Sequence, residues 1–334
     1  WRYKTTRSSE AYDNLAWAMR GMGTLLAVNN DSGLMARCAV PKNSMWGRWI
    51  DSRGAFTQTQ LFGETWLGWQ GHKGVSRDQY TAVFFGLAIA HEVVDDPAVK
   101  GECARLIALM VDHLIAEGWY TTVDRLNWTA AGGEAAPLIF QAQSVYQQIN
   151  FVTIAERMNP GRFTAEQQRL GPLASMTWLG AWVSANTLDG YYKYNLQFLN
   201  AYNYFRLETD QQRWMEMARG YRIAQRWVGH HQNPHFDLIQ CGIDPSLEST
   251  LFPGIREGLR QFLKRNHRDV PPPGLDLSTI QYAPFTFASM TSASGTTVML
   301  PTKPIDIPLR KYTNYYQWQK EPVRAAVRST DPQV

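Results

Sequence analysis

The chain lacks most of the patterns by which a protein declares its chemistry. Its three cysteines, Cys38, Cys103 and Cys241, are odd in number and not spaced as metal ligands, which excludes a complete disulfide framework and a cysteine metal box. No apolar run reaches the roughly 18 residues that span a bilayer; the longest, residues 81–90, suits a core helix. Charged residues make up only 19%, against a disordered or halophilic chain. The net charge of +4 is mild and its cations are scattered, without the basic stripe or reading motif of a nucleic-acid binder, so no nucleic-acid partner is expected. A weak preference for acidic polymers or anionic surfaces fits that charge. No Gly-x-Ser-x-Gly elbow occurs, and Gly21-Met22-Gly23 lies inside a helical pattern rather than after a strand. Asp95-Asp96-Pro97 reads as a turn, not a diphosphate motif. The trio His230, His231 and His235 precedes Asp237, but Pro234 interrupts the spacing a helical ligand pair needs, so a polar turn is expected and no metal or cofactor is assigned.

Aromatics and helical periodicity are present in quantity. Tyr12, Leu15, Ala16, Met19, Met22 and Leu26 recur at three and four and predict a helix over residues 9–29. Residues 34–75 show no sustained period and carry Trp46, Trp49, Phe56, Phe62, Trp66 and Trp69, which predicts a long ordered loop. Ser76 with Gln79 forms a capping box ahead of residues 81–90, predicting a helix buried on every side, the most buried of the chain. Asp96 and Pro97 then open an amphipathic helix to residue 117. Further helices are expected over 138–158, 164–183, 195–207, 210–228 and 253–265, in antiparallel hairpins with short turns. Residues 1–268 read as one helical domain and residues 269–334, rich in proline, as a strap over it. Tyr312, Tyr315, Tyr316 and Trp318 in that strap suit anchoring or a docked protein partner.

Arg77-Asp78-Gln79-Tyr80 sits at the mouth of the apolar helix, where polar groups without partners would cost several kcal/mol unless they line a cavity. Asp78 in the first turn feels the helix dipole, which favours a base or ligand over a protonated acid, although such placement also serves stability alone. Glu64 upstream is the natural second carboxylate, since glycosidic chemistry uses a pair flanking the bond. Trp66 and Trp69 suit stacking on sugar faces or packing of the loop. Asn200 and Tyr204 share a helix face and offer hydrogen bonds to hydroxyls or to a neighbouring helix. Asp237 is a further cleft residue.

Successive inner and outer helices, an aromatic loop and a polar cluster opening an inner helix resemble the (α/α)6 toroid enzymes, among them glycoside hydrolases and polysaccharide lyases. The resemblance covers residues 10–265 and rests on helix organisation. It implies a mainly all-α toroid and a carbohydrate-active enzyme, hydrolase or lyase, working in a central cleft on a glycan or other polyhydroxylated ligand. Asp78 and Glu64 would then be catalytic, with Arg77, Gln79, Tyr80, Trp66, Trp69, Asn200, Tyr204 and Asp237 binding substrate. The alternative is a non-catalytic interaction or scaffold subunit of a larger assembly. The chain begins at Trp1, which fits removal of a secretory signal and a periplasmic or extracellular location.

Overall fold

The architecture comes from a computed structural model. It describes residues 2–54, 56–69, 75, 77–119, 138–177, 192–228 and 234–263, with strand pairs at 290–291 and 297–298. The described part is mainly helical and carries one small three-stranded sheet. The chain divides into two compact units, Trp1–Met176 with Leu207–Thr209, and Thr177–Arg206 with Asp210–Val334. That boundary falls at Met176, whereas the sequence expectation placed its boundary at residue 268. Most of 269–334 lies outside the described residues, apart from the antiparallel pair Met290–Thr291 and Thr297–Val298.

In the first unit, α1 (Arg2–Thr6) leads into α2 (Ser9–Ala27), whose Ser8 cap accepts the Ala11 N–H. The segment expected to be an irregular loop is instead a sheet with a helix laid on it. Strands β1 (Cys38–Pro41), β2 (Phe56–Leu61) and β3 (Glu64–Trp69) run antiparallel with β3 central, and α3 (Met45–Asp51) follows β1. The β2–β3 connection is a two-residue hairpin at Phe62 and Gly63, both at positive φ (55° and 83°), as a tight primed turn requires.

Helix α4 (Arg77–Val93) and α5 (Pro97–Ala116) form the expected hairpin, with Asp96 accepting from the Ala98 and Val99 amides and Pro97 in the first turn. α4 is not buried on every side. Asp78, Ala82 and Gly86, four apart, form an exposed stripe. Among the described residues the longest buried helical run lies in α6 (Leu138–Met158), buried at every residue from Val145 to Ala155. Hydrophobicity misdirects the expectation because α6 carries Gln147, Gln148, Asn150 and Thr153 in its interior. Gln147 Nε2 donates to Thr81 Oγ1 of α4 at 2.6 Å, and Phe151 stacks on Phe84 at 3.9 Å, which fixes α4 against α6. After α7 (Thr164–Leu170) the chain passes into a 3₁₀ turn at Gly171–Met176, so the helix expected to residue 183 stops early at Gly171-Pro172.

In the second unit, α8 (Tyr192–Leu207), α9 (Gln211–Val228), α10 (Pro234–Ile243) and α11 (Glu248–Leu263) are described. Pro234 does not end a helix here; it opens one, at the position where its missing N–H is harmless. α11 starts five residues before Pro253 and keeps that proline inside it. It docks by Ile255 and by Gly258, where a side chain would strike the Pro234 ring. Phe198 of α8 stacks on Phe236 of α10 (4.4 Å) and meets Tyr221 of α9 edge-on (5.3 Å), forming the aromatic centre of this unit.

Candidate functional site

The residues around Arg77-Asp78-Gln79-Tyr80 serve two different ends. Arg77 is the first residue of α4, and the Ser76 half of its expected capping box lies outside the described residues. Tyr80 is fully enclosed. Its hydroxyl accepts the Met35 N–H at 3.2 Å, and burial pushes its ionisation well above the ordinary tyrosine range. Gln79 Nε2 donates to the Arg37 carbonyl at 3.4 Å. Both side chains thus pin the 35–37 segment to α4. Tyr80 is not a stacking wall, because no ring face is exposed. Asp78 is exposed on the stripe it shares with Ala82 and Gly86, and Glu64 is exposed at the start of β3 opposite Leu61.

Trp66 and Trp69 are three apart, a spacing that joins them on a helix but sets them on opposite faces of a strand. The structure has them on β3. Trp69 packs edge-on against Trp49 of α3 at 5.5 Å. Trp66 lies on the face of Gly68 and Thr57, meeting Phe62 of the hairpin at 5.6 Å, and its indole N–H is buried without an acceptor. They therefore cannot wall one cleft together, a correction that follows from the sheet.

Asn200, Tyr204 and Asp237 belong to the second unit. Helical geometry, about 100° per residue, splits α8 into two arcs. Phe198, Ala201, Tyr202 and Phe205 face α9 and α10: Phe205 meets Trp214 and Tyr221, and Tyr202 lies against Gly242. The opposite arc holds Gln197, Asn200, Asn203 and Tyr204. Asn200 donates to the Leu196 carbonyl at 2.8 Å. Asn203 is only 1% exposed, and neither its Nδ2 nor its Oδ1 meets a partner; Gln197 Oε1 is likewise buried and unmet. Each such group costs about 1–3 kcal/mol, so among the described residues of the unit this arc carries the largest group of unmet side-chain atoms. Gln197 and Asn203 were not singled out by sequence, because an amide inside a helix looks the same whether its partner is present or absent.

Asp237 lies in the first turn of α10 and is 6% exposed; burial raises its carboxyl to about 7. The same enclosure, helped by the Asp237 charge, raises Tyr221, whose hydroxyl has no partner, and burial lowers His235. His230 and His231 lie outside the described residues, and no cluster of three metal-ligating side chains forms among the described ones. No protein-family model, curated protein or solved structure matches this chain.

Proposed function

We propose that the chain is a carbohydrate-active protein, a hydrolase or lyase, which takes a hydroxyl-bearing ligand on the Gln197–Asn203 arc of α8. The observation that carries the reading is Asn203, an enclosed amide with both its donor and its acceptor unmet. A hydroxyl donates and accepts at once, so one ligand hydroxyl answers both atoms. The unmet groups described on that arc, in Gln197 and Asn203, are amides and carry no charge, which suits a neutral sugar unit better than an acidic one. Because Asn203 is enclosed, the ligand must wait for an opening motion, and association is slow compared with a preformed surface site. Each candidate carboxylate is tested on its own: Asp78 as base or orienting group with Glu64, and separately Asp237, which has the raised carboxyl a general acid needs.

A second reading, a non-catalytic subunit that binds without turnover, is favoured by the exposure of both Asp78 and Glu64. Charges in open water are poorly placed to act on a desolvated bond.

Titration of wild type and Asn203→Leu with a panel of neutral and acidic oligosaccharides separates function from packing. We expect wild type to bind a neutral member and the variant to lose that binding while melting at a higher temperature, because two unmet polar atoms are removed. Undiminished binding by Asn203→Leu would sink the role of this arc. Turnover that survives both Asp78→Asn and Asp237→Asn would remove those carboxylates from the chemistry.

A further inference from the structure

Helix α3 presents an outer surface that neither the fold nor the α8 arc accounts for. Its inner side is fixed: Ser44 caps it by accepting the Gly47 N–H at 2.9 Å, Ile50 is buried, and a side chain at Gly47 would strike the carbonyl oxygens of Pro41 and Lys42. The helix therefore lies tight on the end of β1 and cannot roll. Its other side consists of Met45, Trp46 and Trp49, which fall within about 100° of arc and are 64%, 59% and 40% exposed. Three large apolar side chains left open on one seven-residue helix cost solubility unless something covers them.

The charge around this arc is positive. Asp51, the acid of α3, faces Lys42 at 4.0 Å. Arg48 is exposed beside Met45 and gives one N–H to the Asn43 carbonyl (2.8 Å). The Arg53 guanidinium sits over the Trp49 ring, its central carbon 4.0 Å from the centroid, which holds the cation beside the apolar arc. Neither arginine meets a carboxylate among the described residues. An apolar centre rimmed by guanidinium groups matches an interface of hydrocarbon below and anionic headgroups above.

Ring geometry decides between a lipid surface and a glycan at this place. A sugar chain stacks along open, roughly coplanar faces, but Trp46 and Trp49 stand at 80° to each other. Arg53 covers one face of Trp49, and Trp69 meets it edge to face at 77°. A headgroup layer makes no such demand, because tryptophan settles there in any orientation and a methionine adapts its shape to acyl chains. We propose that the outer arc of α3 docks the protein on an anionic phospholipid surface, with Met45 and Trp46 immersed and Arg48 and Arg53 at the phosphate level.

The test is co-sedimentation of the full chain with vesicles of phosphatidylcholine alone and with about 30% phosphatidylserine. Wild type should pellet with the anionic vesicles and much less with the neutral ones. Met45→Ser/Trp46→Ser and Arg48→Glu/Arg53→Glu should each lose at least about tenfold in apparent affinity. The changed side chains are exposed, so circular dichroism should show all proteins folded alike. Wild type that stays in the supernatant with anionic vesicles overturns the proposal, as do variants that pellet like wild type. If size-exclusion instead shows that the changes dissolve an oligomer while vesicle binding stands, the arc is a protein interface. If they abolish oligosaccharide binding alone, it is a sugar site.

Discussion

Asp237 is the residue whose ionisation the fold constrains most legibly. It is buried, and its charge acts on Tyr221, which meets Phe198 in the aromatic centre of the unit. The dipole at the start of α10 favours the charged form, but burial dominates and lifts the carboxyl from 3.8 to about 7. A folded-state value above the unfolded one means that the protonated form fits the fold. The penalty for ionising it is absent near pH 4, grows through the window between the two values and levels off above about pH 7. His235, held below its ordinary range by burial, has the opposite dependence in acid, so the total stability of wild type mixes the two. The difference between Asp237→Asn and wild type cancels the histidine. Urea unfolding of both proteins should show that difference near zero at pH 4 and rising to a plateau above pH 7, at most roughly 4 kcal/mol in favour of the variant. A pH-independent difference would mean that Asp237 is solvated, and one that turns toward wild type as the pH rises would mean that it is salt-bridged.

Elements differ in how plainly their residues announce them. α5 was readable because its Asp96-Pro97 start is a local device, and α6 was bounded correctly by periodicity and the Asn159-Pro160 stop. The sheet was not, for three reasons. Its strands are four to six residues long, β2 interleaves Thr and Gln with few apolar residues, and its hairpin uses Phe62-Gly63 where Asn-Gly would have been the signal. That miss carries directly into the site, because a loop can bring Trp66 and Trp69 to one cleft whereas a strand divides them between its two faces. Asn200 and Tyr204 do share an arc, but the neighbour with the unmet amide, Asn203, emerges only once burial is known. Two glycines test these assignments with opposite signs. At Gly86, in the exposed stripe of α4, an added methyl meets nothing, so Gly86→Ala should stabilise by about 0.5–1 kcal/mol through helix propensity. At Gly68, in central β3, the methyl would come within 2.6 Å of Val28 Cγ1 and Thr57 Oγ1, so Gly68→Ala should cost about 1–3 kcal/mol. Melting temperatures that move the same way for both would contradict the placement of one element.

The whole chain shows how far helix organisation alone carries. Helical hairpins such as α4–α5 and α10–α11 are present, and a mainly helical body was legible from periodicity. A closed toroid is a longer-range property, set by contacts between helices distant in sequence, which no local spacing encodes. Within the chain each unit completes a core of its own. The first closes around Phe84, Phe151, Tyr80 and the buried face of α5, the second around Phe198, Phe236 and Tyr221. Compact units with separate cores unfold as separate cooperative blocks, so one melting temperature is a poor description of such a chain. Calorimetry at pH 8 should resolve two transitions. Gly68→Ala reports on the first unit and should lower one of them; Asp237→Asn reports on the second and should raise the other, each leaving its counterpart in place. The double variant should then show both shifts unchanged, since sites without shared partners add. A single transition moved by either substitution would instead make the chain one cooperative body, and the penalty at Asp237 would be borne by the entire fold.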